Sequence, residues 1–266
     1  MELKAVLFDV DGTLADTEEA HRQAFNAAFR AHGLPWEWDT ELYRELLTVA
    51  GGKERIRHYC ARFRPAFLDD PRAAEIIALL HADKTRRYAE RAACGGIAPR
   101  PGVVRLVREL HDAGVRLAIA TTTSRANVDA LLATSLRALP PGVFELVGAG
   151  EDVAAKKPSP AIYAFVLQGL RVAPADCLAI EDSRNGLLAA LAAGVPALVT
   201  ECPWTSGEDF AGALVVLSDL GDPGRPHRCL RGAPCRSGYA DADALFRWHA
   251  AWRETARGLP SGGARA

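Results

Sequence analysis

The feature that most constrains this chain is a short apolar run, residues 3–8, that ends in Asp9, Val10, Asp11 and Gly12. Six residues with a single lysine among them are short for a helix and read as a strand buried on both faces, which delivers two carboxylates into the loop beyond it. The same grammar returns at 115–121, 144–149, 177–181, 195–200 and 213–217. Helical patterns lie between these runs, at 103–113, 125–136, 161–170 and 184–193, with Gly114 and Gly194 placed as C-caps. Strand alternating with helix predicts an α/β fold in which a mostly parallel sheet is covered on both faces.

From residue 17 to 93 the alternation stops and helices follow one another. Asp16 or Thr17 can cap the first, Glu18 and Glu19 suit its positive end, and Ala24, Phe25, Ala28 and Phe29 form an apolar stripe. Further on, Ile56, Tyr59, Cys60 and Phe63 repeat on one helical face. An all-helical subdomain, 17–93, is therefore expected inside a core made of 1–16 and 94–222, with a hinge-like Gly- and Pro-rich exit at 95–102. Residues 223–266 read as an appended, partly mobile extension.

Composition excludes several classes. With 49% hydrophobic and 24% charged residues the chain is an ordinary globular one, and a formal net charge of -1 provides no global field for nucleic acid or anionic membrane. The longest apolar stretch, 187–199, is broken by Gly194 and Pro196 and is too short to span a bilayer. The first residues lack the pattern of a secretory leader, so a cytoplasmic protein, taken as a monomer, is expected. Six scattered cysteines without a Cys-x-x-Cys pair read as reduced thiols, Cys229 and Cys235 among them as exposed ones. His227, Cys229, Cys235 and His249 match no zinc spacing.

The chemistry-bearing residues fall at the C-terminal ends of the expected parallel strands, where open α/β sheets place their sites. Asp9 and Asp11 follow the first strand, Thr121 the second, Lys157 of Lys156-Lys157-Pro158 the third, and Glu181-Asp182 ends the fourth. Asp-x-Asp-Gly alone is equally a turn. Clustered carboxylates repel, however, and their burial together calls for a cation; a few carboxylates with phosphate oxygen and water is the shell Mg²⁺ favours. Thr121 and Lys157 would then cover the remaining phosphate oxygens, a constellation suited to phosphoryl transfer.

In order and context, Asp9-Val10-Asp11-Gly12-Thr13, Ala120-Thr121, Lys157-Pro158 and Ile180-Glu181-Asp182-Ser183 resemble the four motifs of the haloacid dehalogenase superfamily, over roughly residues 4–220. Within it, the segments 17–22, 43–47, 51–56, 120–124 and 204–205 with 209–213 look like the CbbY-type sugar bisphosphate phosphatases, associated with xylulose-1,5-bisphosphate, a misfire product that inhibits Rubisco. The resemblance implies a Rossmann-like core with an inserted helical cap. It also implies that Asp9 is the nucleophile and a Mg²⁺ ligand, and that Asp11 is general acid, then base, with a pKa raised by neighbouring carboxylates and phosphate. The main-chain carbonyl of Asp11, with Asp182 and Glu181, would complete the protein ligands, and Thr121, Thr122, Asn127 and Lys157 would hold the phosphate.

The cap is expected to choose the substrate. Gly51-Gly52 followed by Lys53 and Arg55 at a helix start combines free N–H groups with two cations, either a seat for a second phosphate or a solvated helix end. Arg44, His21 and Asp16 are weaker contacts. Trp36 and Trp38 read as cap packing, and Lys156 as solvated. A β-phosphoglucomutase-like mutase, or a phosphatase of another small phosphosugar or of phosphoglycolate, would carry the same motifs. A phosphorelay receiver is disfavoured by the spacing of its acidic pair, and a dehalogenase by Asp11.

Overall fold

The structure, a computed structural model, describes residues 3–258. Strand β1 (Ala5–Phe8) is central in a seven-stranded sheet with β2 (Arg116–Ala120), β3 (Leu146–Gly148), β4 (Cys177–Glu181), β5 (Ala197–Thr200), β6 (Val216–Leu217) and β7 (Cys229–Arg231). The order is β3-β2-β1-β4-β5-β6-β7, parallel throughout except for β7, which runs antiparallel to β6. Alternation along β1 divides the core in two. Val6 and Phe8 join an apolar cluster with α6 (Val103–Asp112) and α7 (Arg125–Ala133), whereas Ala5 and Leu7 join one with α8 (Ala161–Leu170) and α9 (Arg184–Ala192). Because the sheet is covered on both faces, its strands carry apolar residues at successive positions, which is what made them readable.

Helices α1 (Glu18–Ala31), α2 (Thr40–Leu46), α3 (Gly52–Phe63), α4 (Pro65–Leu68) and α5 (Ala73–Ala93) form the inserted unit around a third apolar cluster that includes Phe25, Phe29, Trp36, Trp38 and Tyr59. The two tryptophans pack there, as expected. The unit joins the sheet through two adjacent chain segments: Asp16 N–H donates to Ala98 O (3.2 Å) and Arg100 N–H to Leu14 O (3.0 Å).

Four expectations change. Of the extension, residues 223–258 are not merely appended: Cys235, Ala240, Ala244 and Leu245 are buried in the same cluster as Phe8, and α10 (Ala242–Gly258) is tied to the core by His249 Nε2–Ala175 O (2.9 Å) and Arg253–Asp176 (2.5 Å), while 259–266 lie outside the described residues. Cys235 is accordingly buried rather than exposed, and Cys229 is half-buried. Thr17 stands at the N-cap of α1 without making the cap bond, since its hydroxyl is committed to Asp11. Finally, Lys156 is anchored to the carbonyls of Gly150 and Val153 instead of being solvated. No described helix is long and apolar enough to cross a membrane.

Candidate active site

A cavity of about 310 Å³ lies between the C-terminal ends of the strands and the inserted helices. Its floor is set by β1 and β4. Asp9, at the end of β1, receives the Lys157 ammonium on Oδ1 at 2.6 Å, and the same ammonium reaches Glu181 Oε1 at 2.6 Å. Glu181 is fully buried and also accepts the Tyr163 hydroxyl, so it anchors the lysine from below. Room for it comes from Gly186, where a Cβ would lie 1.8 Å from Glu181 Oε2. Asp182 points beside Asp9 and receives the Cys202 thiol at 3.3 Å. Gly12 makes that position available: its φ of +77° suits glycine, and a Cβ there would come within 2.1 Å of Asp182 Oδ2.

Oxygens of Asp9, Glu181 and Asp182 lie within 4.8 Å of one another. Burial raises Asp9 to about 8, with Lys157 opposing and Glu181 and Asp11 adding to the rise. Asp182 is pushed well above the usual carboxylate range by burial, Asp9 and Glu181. The lysine works the other way: burial alone would lower it, but Asp9 and Glu181 raise it. With all three carboxylates ionised, one ammonium leaves a buried deficit of two positive charges, and the glycine cradle brings a carboxylate oxygen close to the loop. This donor set fits a hard divalent cation such as Mg²⁺.

Asp11 faces the other way. Its Oδ1 accepts the Thr17 hydroxyl at 2.6 Å and His21 Nε2 at 2.9 Å, while Lys84 Nζ lies 2.8 Å from His21 Nδ1. Since an ammonium has only protons to give, His21 Nδ1 accepts and Nε2 carries the hydrogen that goes to Asp11. Burial alone would raise Asp11, but His21, the Thr17 hydroxyl and the Lys84 charge together hold it below the usual range. The expectation of a raised Asp11 pKa is thus reversed in this arrangement, because its nearest partners are donors. His21 itself is buried, stacked on Tyr88 with centroids 4.0 Å apart, and lowered by burial and by Lys84.

Among the other expected contacts, Thr122, Asn127, Lys53 and Arg55 line the cavity. Thr121 is buried next to it, its Oγ1 accepting the Thr123 N–H at 3.2 Å, and Asn127 Nδ2 donates to Thr123 Oγ1 at 2.9 Å. Lys53 is exposed at the start of α3. Arg55 is buried and already bonded to Leu46 O (3.2 Å) and the Tyr43 hydroxyl (3.1 Å). Arg44 and Asp16 are exposed and do not line the cavity: Arg44 lies over the Trp204 ring, and Asp16 sits 3.7 Å from Arg100 Nε.

Four residues not expected at the site also shape it, Glu18 among them having been read only as suiting the start of the first helix. Lys84 carries charge to the back of His21; it stands in the buried stripe Ile77, Leu80, Lys84, Tyr88, Ala92 of α5, and a lysine at that register was a visible signal. His81 lines the cavity near Gly52, and burial with the surrounding Lys84, Lys53, His21 and Arg55 lowers it to about 3. Glu18 accepts the Tyr43 hydroxyl at 2.8 Å at the cavity wall. Arg100 is buried and donates to the carbonyls of Gly12, Thr200, Glu201 and Ser218, which binds the Asp11–Gly12 loop to the ends of β5 and β6.

A carboxylate and lysine chamber at the strand ends, roofed by helices inserted after β1, defines a class of hydrolase, and the chain matches the haloacid dehalogenase-like hydrolase family over residues 3–194. It belongs to that family, and it is an enzyme of the phosphatase type. Within the family, it is 51% identical to the plasmid CbbY protein of Cupriavidus necator over 248 residues, which covers 93% of this chain and 97% of that one. The crystal structure of CbbY from Rhodobacter sphaeroides in complex with phosphate superposes with a TM-score of 0.76 at 46% identity, covering 84% of this chain and 97% of that one. A mutant of CbbY from the same organism, in complex with xylulose-1,5-bisphosphate, gives a TM-score of 0.75 at 46% identity with the same coverage.

Proposed function

We propose that this protein is a Mg²⁺-dependent phosphatase of a small sugar bisphosphate, xylulose-1,5-bisphosphate being the leading substrate and xylulose-5-phosphate its product. The observation that carries this reading is the cavity itself: Asp9, Lys157 and Asp182 lie at its floor, and Lys53, Arg55 and the N-terminus of α3 lie in its cap wall, two regions suited to two phosphates. The similarity to CbbY proteins, one of them a complex with that bisphosphate, supports the choice of sugar.

Asp9 attacks phosphorus in line with the leaving sugar oxygen; an aspartyl phosphate forms as the ester P–O bond breaks, and the sugar oxygen takes a proton from Asp11. Water then attacks the aspartyl phosphate and gives its proton to Asp11, releasing phosphate and restoring the Asp9 carboxylate. The bonds from Thr17 and His21 suit the second half, because they stabilise the carboxylate that must accept a proton. In the first half Asp11 has to be protonated, which requires it to be freed from those donors. Lys157 neutralises the phosphoryl group and keeps Asp9 aimed, and Thr121, Thr122 and Asn127 bind the remaining oxygens. Asp9, Asp182 and the Asp11 carbonyl would hold Mg²⁺, with the Glu181 carboxylate beside them adding negative charge while it grips Lys157. When bound, Mg²⁺ supplies charge compensation to the phosphoryl oxygens.

The test is product analysis across phosphosugar mono- and bisphosphates, with and without chelator. Free phosphate, one per bisphosphate, released only with Mg²⁺, is expected. An isomerised sugar phosphate without net release would replace the phosphatase reading by a mutase one, and full activity in excess chelator would end the metal reading.

A further inference from the structure

The turn after β5 touches both halves of the cavity. On its outer side the Trp204 ring meets the Tyr43 ring of α2 edge-on, with centroids 5.5 Å apart and planes at 89°, and the Arg44 guanidinium lies 5.8 Å from its centre. Trp204 packs against the apolar cluster of the cap, although it belongs to the core segment, and it lines the cavity. Tyr43 in turn fixes Glu18 and Arg55 through its hydroxyl. On the inner side, Cys202 is 2% exposed and gives its thiol to Asp182 Oδ2 at 3.3 Å.

The turn is closed on itself. Cys202 N–H donates to Thr205 Oγ1 at 3.2 Å, Thr205 N–H returns to Cys202 O at 3.1 Å, and Sγ lies 3.4 Å from Thr205 Oγ1. Its base is pinned by Arg100 through Thr200 O and Glu201 O, each at 2.8 Å. The segment between Trp204 and Cys202 is thus braced by its own hydrogen bonds and by Arg100 at its base. The contact is also tight at the far end, because a Cβ on Gly12 would meet both Asp182 Oδ2 and, at 3.4 Å, Cys202 Sγ.

We propose that the 202–205 turn couples the seating of the cap to the Asp182 carboxylate, with Trp204 and Cys202 as positioning residues, so that cap closure and cation binding favour each other. Coupling of this kind is reciprocal: whatever the cap gains from a bound cation, the cation gains from a seated cap. The proposal rests on the reading that Asp182 holds a divalent cation.

Binding of Mn²⁺ to the full-length protein, followed by electron paramagnetic resonance of the free ion, reads the effect without turnover. Trp204→Ala should weaken Mn²⁺ binding by about 5-fold or more, the scale of a modest coupling energy, and Trp204→Phe, which keeps a ring edge for Tyr43, should recover most of it. Trp204→Leu keeps bulk for folding and should show the same loss as alanine. Cys202→Ala should weaken binding by about 10-fold, as loss of a ligand's hydrogen-bond partner commonly does, and Cys202→Ser should restore it. Wild-type affinity in folded Trp204→Leu, or no difference between Trp204→Phe and Trp204→Leu, would overturn the coupling alone. Failure of the wild type to bind Mn²⁺ would overturn the metal reading and the coupling with it.

Discussion

Lys84 holds its ammonium among the rings of Phe25 and Tyr88, 4.8 and 5.4 Å from their centres, with His21 Nδ1 as its hydrogen-bond partner. Burial lowers it from 10.5 to about 8, although Asp11 works in the opposite direction. Between those two values the unfolded chain binds more protons at this position than the folded one, so the contribution of Lys84 to stability rises with pH across that window. Urea unfolding of wild type and Lys84→Met from pH 7 to 10 should show the wild type gaining on the variant above pH 8, by up to about 3 kcal/mol; a constant difference would contradict the assignment of charge to Lys84. Asp9, Thr121 and Glu181 were legible because each stands at the end of a strand that announces itself, whereas Lys157, well beyond the end of β3, was legible from its place before Pro158. Lys84 and Arg100 were not read: the first has partners remote in sequence, and the second acts mostly on backbone carbonyls, which no side-chain motif records.

At the scale of elements, the proposed selection of the substrate falls to α3. Its first turn points free N–H groups and Lys53 at the cavity, while Arg55, expected as a second phosphate ligand, is engaged in holding Leu46 O and Tyr43. Lys53 is thus the cleaner probe. Lys53→Ala should lower kcat/KM for a sugar bisphosphate about 5- to 30-fold, a loss of about 1 to 2 kcal/mol after discounting an exposed charge, with hydrolysis of a small aryl phosphate unchanged; equal losses on both would remove Lys53 from the distal seat. Boundaries of β4 and α8 were read to the residue because β4 is buried along its whole length and Pro174 marks the break between the two elements. Strand β7 was not foreseen, since three residues with Leu230 and Arg231 exposed show no period, and its pairing with β6 depends on chain brought back from beyond the sheet. The α1 cap failed for a chemical reason: Thr17 could serve the helix or Asp11, and it serves Asp11.

The whole molecule is a sheet that supplies the chemistry, a helical roof that encloses it, and a C-terminal segment that finishes the core. Leu245 of α10 is fully buried with Leu110 and Leu220, so Leu245→Ala should cost about 2 to 5 kcal/mol in urea unfolding; a change below 1 kcal/mol would mean that the segment is an ornament, as its Gly- and Pro-rich approach first suggested. Everything in the account converges on the end of β1, where Asp9 lies 2.6 Å from the Lys157 ammonium and beside Asp182. Acid quench of the wild-type enzyme during turnover of xylulose-1,5-bisphosphate with Mg²⁺, followed by mass analysis of the peptide containing Asp9, tests that convergence most directly. The account predicts a phosphoryl group on Asp9 that decays as phosphate appears, and none in Asp9→Asn; turnover that leaves Asp9 unmodified at every quench time, or substantial phosphate release by folded Asp9→Asn, would contradict it.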